Sequence, residues 1–149
     1  MSFDRFSGPV WSLFRIAIGV LFLCHGAAGV FGLFGGHRGS GEALPMGSWP
    51  NWWAAVIQVV GGALVVAGLA TRPAALLASG SMAYAYFVVH QPEGLLPLNN
   101  GGVTSALYAW AFLAIAALGA GPWSVDGLLN RRRVDEGVTP VPVGVRDAA

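Results

Sequence analysis

The sequence has no lysine: all eight of its Lys or Arg positions are arginine. Only 10% of its 149 residues are charged, where a soluble domain carries about 25%, so few groups are available to keep the chain in water. A net charge of +1 gives no case for nucleic acid as a partner. The single cysteine, Cys24, excludes an intrachain disulfide and any Cys-pair redox motif. Inside an apolar run it reads as a small buried hydrophobe. No carboxylate falls in the core of an apolar run, which argues against a di-iron site or a carboxylate proton relay. The phosphate-cradling patterns GxGxxG and GxxxxGK[ST] are absent, as is the c-type haem attachment motif. His25 and His90 alone are too few for a metal site.

What the chain does have is apolar length. It is 55% hydrophobic, with mean hydropathy +0.62. Its 22 glycines are roughly twice ordinary usage, which suits close helix–helix approach in lipid. Four runs emerge, at about Val10–Phe31, Trp53–Ala70, Ala74–Val89 and Val103 to Leu118 or Ala120. The first begins like a signal sequence. It lacks a small-x-small cleavage site and continues through glycine-rich text, so it reads as a retained span. Pro9 suits a helix start, and Pro73 pushes Arg72 out of helical geometry to end the second run. The third run is short and extends toward His90 and Gln91 before Pro92. The 32–52 connection holds Trp49 and Trp52 and leads into Trp53, rings that belong at headgroup level. It either folds over the outer mouth of the bundle or docks against a partner.

The arginines orient these runs. Arg5, Arg15, Arg72, Arg131, Arg132, Arg133 and Arg146 fall on one side and only Arg38 on the other. The positive-inside rule then puts both termini in the cytoplasm. The expected fold is all-α: a polytopic membrane protein with four transmembrane helices in an antiparallel up-down bundle. The transmembrane domain covers 1–130 and a flexible cytoplasmic tail covers 131–149. The protein is expected in a bacterial plasma (inner) membrane. Arg15 lies close enough to the inner end to snorkel to headgroups; a buried position with an internal partner is the alternative.

Polar side chains inside spans need partners. With alternating span directions, His25, Gln58, His90, Thr104 and Tyr108 converge on one depth in the outer half. The cluster is either a polar or amphipathic pocket or a set of interhelical hydrogen bonds that fastens the bundle. Its aromatic-rich, weakly polar surroundings suit an isoprenoid quinone or a lipid tail. Three stripes at helical spacing read first as packing seams: Arg15, Gly19, Phe22, Gly26; Gln58, Gly62, Val65, Leu69; and Ser79, Ala83, Tyr86, His90.

Several stretches resemble the DoxX family of small four-helix membrane proteins. They are RIAIGVLFLCHGAAGVFG at 15–32, GGALVVAGLATRPAALLASGSMAYA at 61–85 and LNNGGVTSALYAWAFLAIAALGAGPWSVDGLL at 98–129. The resemblance implies a subunit of a membrane-associated redox system, such as a thiosulfate:quinone oxidoreductase or an assembly with superoxide dismutase and a sulfurtransferase. By position, Arg15, His25, Gly26, Arg72, Asn100, Gly101, Gly102 and Asp126 match the pattern, with Arg15, Arg72, Asn100 and Asp126 in structural roles. The family often has Lys, Glu and Glu where this chain has Gly29, Gln58 and Thr104. Loss of charge at all three argues against a proton-coupled role.

The expected function is therefore a non-catalytic membrane subunit of a larger respiratory or redox complex, with other membrane subunits and lipid as partners and no polar cavity. A quinone-interacting subunit, with His25, Gln58, His90 and Tyr108 around a quinone or lipid, is the alternative. A small-solute or lipid transporter ranks last. No residue is assigned a catalytic role and no metal is expected.

Overall fold

The computed structural model describes residues 4–135, with side chains described for residues 6–132. All described elements are helical. In chain order they are α1 (Asp4–Phe31), α2 (Asn51–Ala67), α3 (Thr71–Tyr84), α4 (Pro97–Asn100), α5 (Val103–Leu118) and α6 (Val125–Asp135). Two 3-10 turns, Leu33–Gly35 and His37–Gly39, follow α1, and a wide π turn, Ala85–His90, continues α3. Phe6–Phe31 is long and apolar enough to cross a bilayer. Asn51–Ala67 and Val103–Leu118 are apolar but shorter.

Element edges differ from the sequence expectation in three places. The second run ends at Ala67, because Gly68 takes the left-handed conformation (φ +69°) and donates its N–H to Leu64 and Val65. Glycine supplies that stop, and Arg72 stays helical in the first turn of α3, where Pro73 is tolerated. Pro9 lies inside α1, which already begins at Asp4. The boundary drawn at residue 130 falls within α6, which continues through the arginine run to Asp135. The remainder of the expected tail, 136–149 with Arg146, lies outside the described residues.

Two tight helix pairs, α1 with α2 and α3 with α5, meet along a looser α2–α3 seam. Glycine makes the first pair tight. A Cβ at Gly26 would stand 2.7 Å from the Ala55 carbonyl oxygen, and one at Gly62 would stand 2.9 Å from the Leu23 nitrogen. The α1 stripe Arg15, Gly19, Phe22, Gly26 is wholly buried, as are Gln58, Gly62 and Val65 on α2, whereas Leu69 is exposed. The core is Phe22, Val65, Ala74, Ala75, Ala78, Met82, Phe112 and Ile115. Phe22 reaches Phe112 at 4.5 Å between ring centroids and Tyr108 at 5.3 Å, a tilted geometry that aromatic quadrupoles favour. On α3 the Ser79 hydroxyl donates to the Ala109 carbonyl at 2.8 Å and fastens α3 to α5.

Arg15 corrects the snorkelling expectation. It is completely buried. Its Nε donates to Ala120 O at 2.7 Å, one Nη to Val65 O and to Val66 O, and the other to Trp123 O. Val65 and Val66 belong to the last turn of α2, where carbonyls run short of helical N–H partners and the helix dipole is negative. A guanidinium there is held by backbone carbonyls, with the Asp126 charge close by, and does not reach to the headgroups. Neighbouring side chains on α1 grip the same turn: Trp11 Nε1 donates to Gly119 O at 2.9 Å, and Ser12 Oγ accepts from Trp123 N at 3.3 Å. Asp126 completes the brace. Its carboxylate accepts Ala70 N at 2.9 Å and Thr71 N at 3.0 Å, capping α3 from outside and holding Ala70 at φ +46°. Arg72 is exposed at this end, beside Gly119.

Arg15→Met should lower stability by roughly 3 kcal/mol or more, because several buried carbonyls lose their donors. Arg15→Lys should recover little of it, since one ammonium cannot reproduce the planar fork. Thermal unfolding in detergent reads both. Partial burial pushes the Asp126 carboxyl up, but the Thr71 and Ala70 amides and the Arg15 charge outweigh it and hold it below 3.8. Its stabilisation is thus present at neutral pH and is lost as acid takes the pH down through the folded value. Asp126→Ala should cost about 1 kcal/mol at neutral pH, typical of a lost cap, and should flatten the acid dependence of the unfolding midpoint.

Candidate functional site

At the end away from the brace, α1, α2, α3 with its π turn, and α5 surround a cavity of about 260 Å³. His25, Gln58, His90 and Tyr108 all line it, one from each of these four segments. The π turn widens the end of α3 and carries Val89 and His90 to the wall, a distortion frequent at functional sites. Gly29, Gln58 and Thr104, the positions where the family resemblance implies charge, line the same cavity.

These side chains are held differently. Gln58 is buried (7% exposed), and its amide has no hydrogen-bond partner among the described residues. That amide is left to the cavity. His25 is exposed at the rim and Tyr108 is half-buried. His90 is oriented from behind: its Nδ1 lies 3.1 Å from Asn100 O. A carbonyl only accepts, so Nδ1 carries the proton, and in the neutral ring Nε2 is an acceptor. Asn100 is buried and fixed in turn. It donates from Nδ2 to Gly94 O at 2.7 Å and accepts Gly102 N at Oδ1 at 2.8 Å. Asn100 thus positions His90, whereas Arg15, Arg72 and Asp126 stand at the opposite end.

Two wall residues escaped the sequence reading. His37 and Arg38 come from the 32–50 connection, which folds back over the cavity through Leu44 N donating to Gly29 O at 2.7 Å and His37 N donating to Glu42 O at 2.9 Å. Glycines shape that return, since a Cβ at Gly36 would stand 2.4 Å from Glu42 N. The composition hinted at pliability, but no periodicity marks which loop residues turn inward. With them, all three histidines of the chain and one arginine line the cavity, and no carboxylate is among the lining residues. Among the described residues no three His, Cys, Asp or Glu side chains gather as metal ligands. The wall can donate hydrogen bonds from Gln58, Tyr108, Thr104, Ser105 and Asn51 to an acceptor-bearing ring.

A second, apolar groove of about 540 Å³ runs along the α2–α3 seam, lined by Trp53, Ile57, Leu76, Leu77, Gly80 and Tyr84 among others.

Burial, then the Arg38 charge, then His25 hold the His37 imidazole below 6.5. The unfolded chain therefore binds this proton more tightly, and His37 costs stability as the pH falls below 6.5. A histidine NMR titration should give a His37 midpoint under 6.5 that rises in Arg38→Gln, without regaining the ordinary value because burial and His25 remain. A midpoint unmoved by that substitution would separate Arg38 from the cavity wall.

Residues 10–91 match the DoxX family. The chain is 34% identical over 119 residues to a Haemophilus influenzae protein described as uncharacterized, covering 75% of this chain and 84% of the relative. No solved structure matches it. The match includes Arg15, His25, Gln58, Arg72 and His90 and stops before Asn100, Tyr108 and Asp126. Since it takes in more than half of the chain, with α1, α2, α3 and the first wall of the cavity, the chain is a membrane protein of the DoxX family.

Proposed function

We propose that this protein is a four-span accessory subunit of a membrane redox assembly that holds a quinone ring in the cavity beside Gln58. The observation that carries this reading is the convergence of His25, Gln58, His90 and Tyr108 on one cavity, with the Gln58 amide unpartnered among the described residues. A subunit serving packing alone was expected to have no polar cavity, and the cavity moves the balance toward quinone contact. The carbonyl oxygens of a quinone accept hydrogen bonds, and the wall is rich in neutral donors. The site is read as one that holds a ring.

In this reading α1, α2, α3 with its π turn, and α5 cross the bilayer as an antiparallel up-down bundle. Both termini are cytoplasmic, at the end where Arg72, Arg131 and Arg132 are exposed. The shorter helices span about 25 Å at 1.5 Å per residue, slightly under a typical hydrocarbon core, and modest thinning accommodates that. Exposed Trp49 and Trp53 at one end and Trp123 at the other mark the two interfaces. A transporter is less well supported, because the hydrogen bonds around Arg15 tie the helices together at the end opposite the cavity.

The test is extraction from native membranes in mild detergent, followed by quinone quantification and identification of co-purifying chains. His25→Ala with Gln58→Ala should reduce bound quinone by about tenfold, the effect of losing one or two net hydrogen bonds. Unchanged quinone content in that variant would refute the ring site. Migration as an isolated species, with no co-purifying subunit, would refute the accessory role.

A further inference from the structure

The polar cavity and the apolar groove are neighbours. Asn51, Ala54, Ala85 and Val89 line both. The groove starts at Trp49, beside the cavity, and runs along the α2–α3 seam to Pro73 at the brace end. Its walls are apolar side chains such as Ile57, Leu76 and Leu77. A space polar at one end and apolar along its length fits an amphiphile.

Gly80 is the telling residue on the groove. Gly80 is exposed on the groove, unlike the glycines buried at the α1–α2 contact. At Gly26 and Gly62 a Cβ would collide with a facing helix backbone. At Gly80 a Cβ would meet nothing within 4 Å, and the position does not have a positive φ. A glycine inside a helix weakens it relative to alanine, and here neither packing nor turn geometry within the chain calls for one. What its missing side chain provides is depth in the surface that α2 and α3 share.

We propose that the α2–α3 groove is the tail subsite of the cavity: an amphiphile whose ring sits beside Gln58 lays its apolar, isoprenoid-type tail along the groove and over Gly80. The inference rests on the ring-site reading for the head and extends it to a tail specificity carried by one position. The continuity of the two spaces selects this occupant over a headless hydrocarbon chain or the apolar face of a partner helix, neither of which places a polar ring next to Gln58. Gly80 is then a specificity-determining position, without contact to the ring.

The test uses the full-length protein in detergent and two probes, 2-methyl-1,4-naphthoquinone and the same ring carrying a four-isoprene tail. Gly80→Leu fills the groove from an open position, and Gly80→Ala fills little of it; circular dichroism and thermal unfolding check that both fold. In the wild type the tail should raise affinity by about tenfold or more, given the apolar surface it buries. In Gly80→Leu that advantage should fall to about threefold or less while the tail-less ring binds as before; Gly80→Ala should stay close to wild type. The comparison between variants cancels partitioning of the tail into detergent. An undiminished tail advantage in Gly80→Leu would overturn the proposal. So would an undiminished advantage accompanied by loss of self-association or of a co-purifying chain, which would make the groove a helix seat. Failure of the tail-less ring to bind wild type, with the tailed form still lost in Gly80→Leu, would remove the ring site and leave the groove standing. Binding of neither probe to the wild type would overturn both.

Discussion

A single guanidinium buried among helices sets the terms for this molecule. Arg15 is wholly buried, and a charged group in a low-dielectric interior is costly unless its hydrogen bonds are met. The chain meets them with backbone carbonyls, and carbonyls are free only where helices stop. So α2 must end beside Arg15, and the turn after α5 must bring Ala120 and Trp123 to the same point. Gly68 is confined by this demand. Its φ is positive, and a Cβ there would stand 2.5 Å from Ser124 Cβ and 3.2 Å from the Arg15 Cζ. Asp126, tied by its own N–H to Gly68 O at 2.9 Å, then reaches the first amides of α3. Four segments are thereby registered by directional bonds, which lipid does not weaken as it weakens the hydrophobic drive between helices.

Closure at that end has a consequence at the other. Helices tied together by the brace and by glycine contacts along α1 and α2 are free to separate where the side chains become larger and polar. Tyr108, stacked on Phe112 and tilted against Phe22, forms the upper edge of the aromatic core and the lower wall of the cavity. Above it the 32–50 connection serves as a lid whose backbone is pinned to α1 at Gly29. The rigid end and the open end are thus two results of one distribution of residues. Small and bonded groups gather near Arg15, and long polar ones near Gln58.

The depth of the polar residues was legible in the sequence because it follows from two regular quantities, the rise of a helix and the alternation of helix direction along the chain. That is why His25, Gln58, His90 and Tyr108 could be grouped before any coordinates. The face of α1 was legible for the same reason, through the three- and four-residue spacing from Arg15 to Gly26. The burial of Arg15 was not, because its partners are carbonyls, which every residue possesses and no residue type announces. An arginine one turn farther along would look the same in text and could snorkel. His37 and Arg38 were hidden by their connection, where glycine geometry and not periodicity decides what faces inward. The end of α2 was assigned to Pro73 when Gly68 already provided it, since a left-handed stop gives way to proline as the louder signal.

The cavity is also where the chain carries neutral groups at the three positions where the family resemblance implies charge. Gly29, Gln58 and Thr104 all belong to one wall. With a glycine, an amide and a hydroxyl there, the wall holds no carboxylate that would need a cation or a proton close by. The one charged side chain among the lining residues, Arg38, comes from the loop. In the proposed reading an uncharged ring with acceptor oxygens meets neutral donors on this wall, whereas a cationic ligand would meet Arg38 with no carboxylate among the lining residues to balance it. The polar wall and the apolar seam beside it are the two features on which the proposed amphiphile rests.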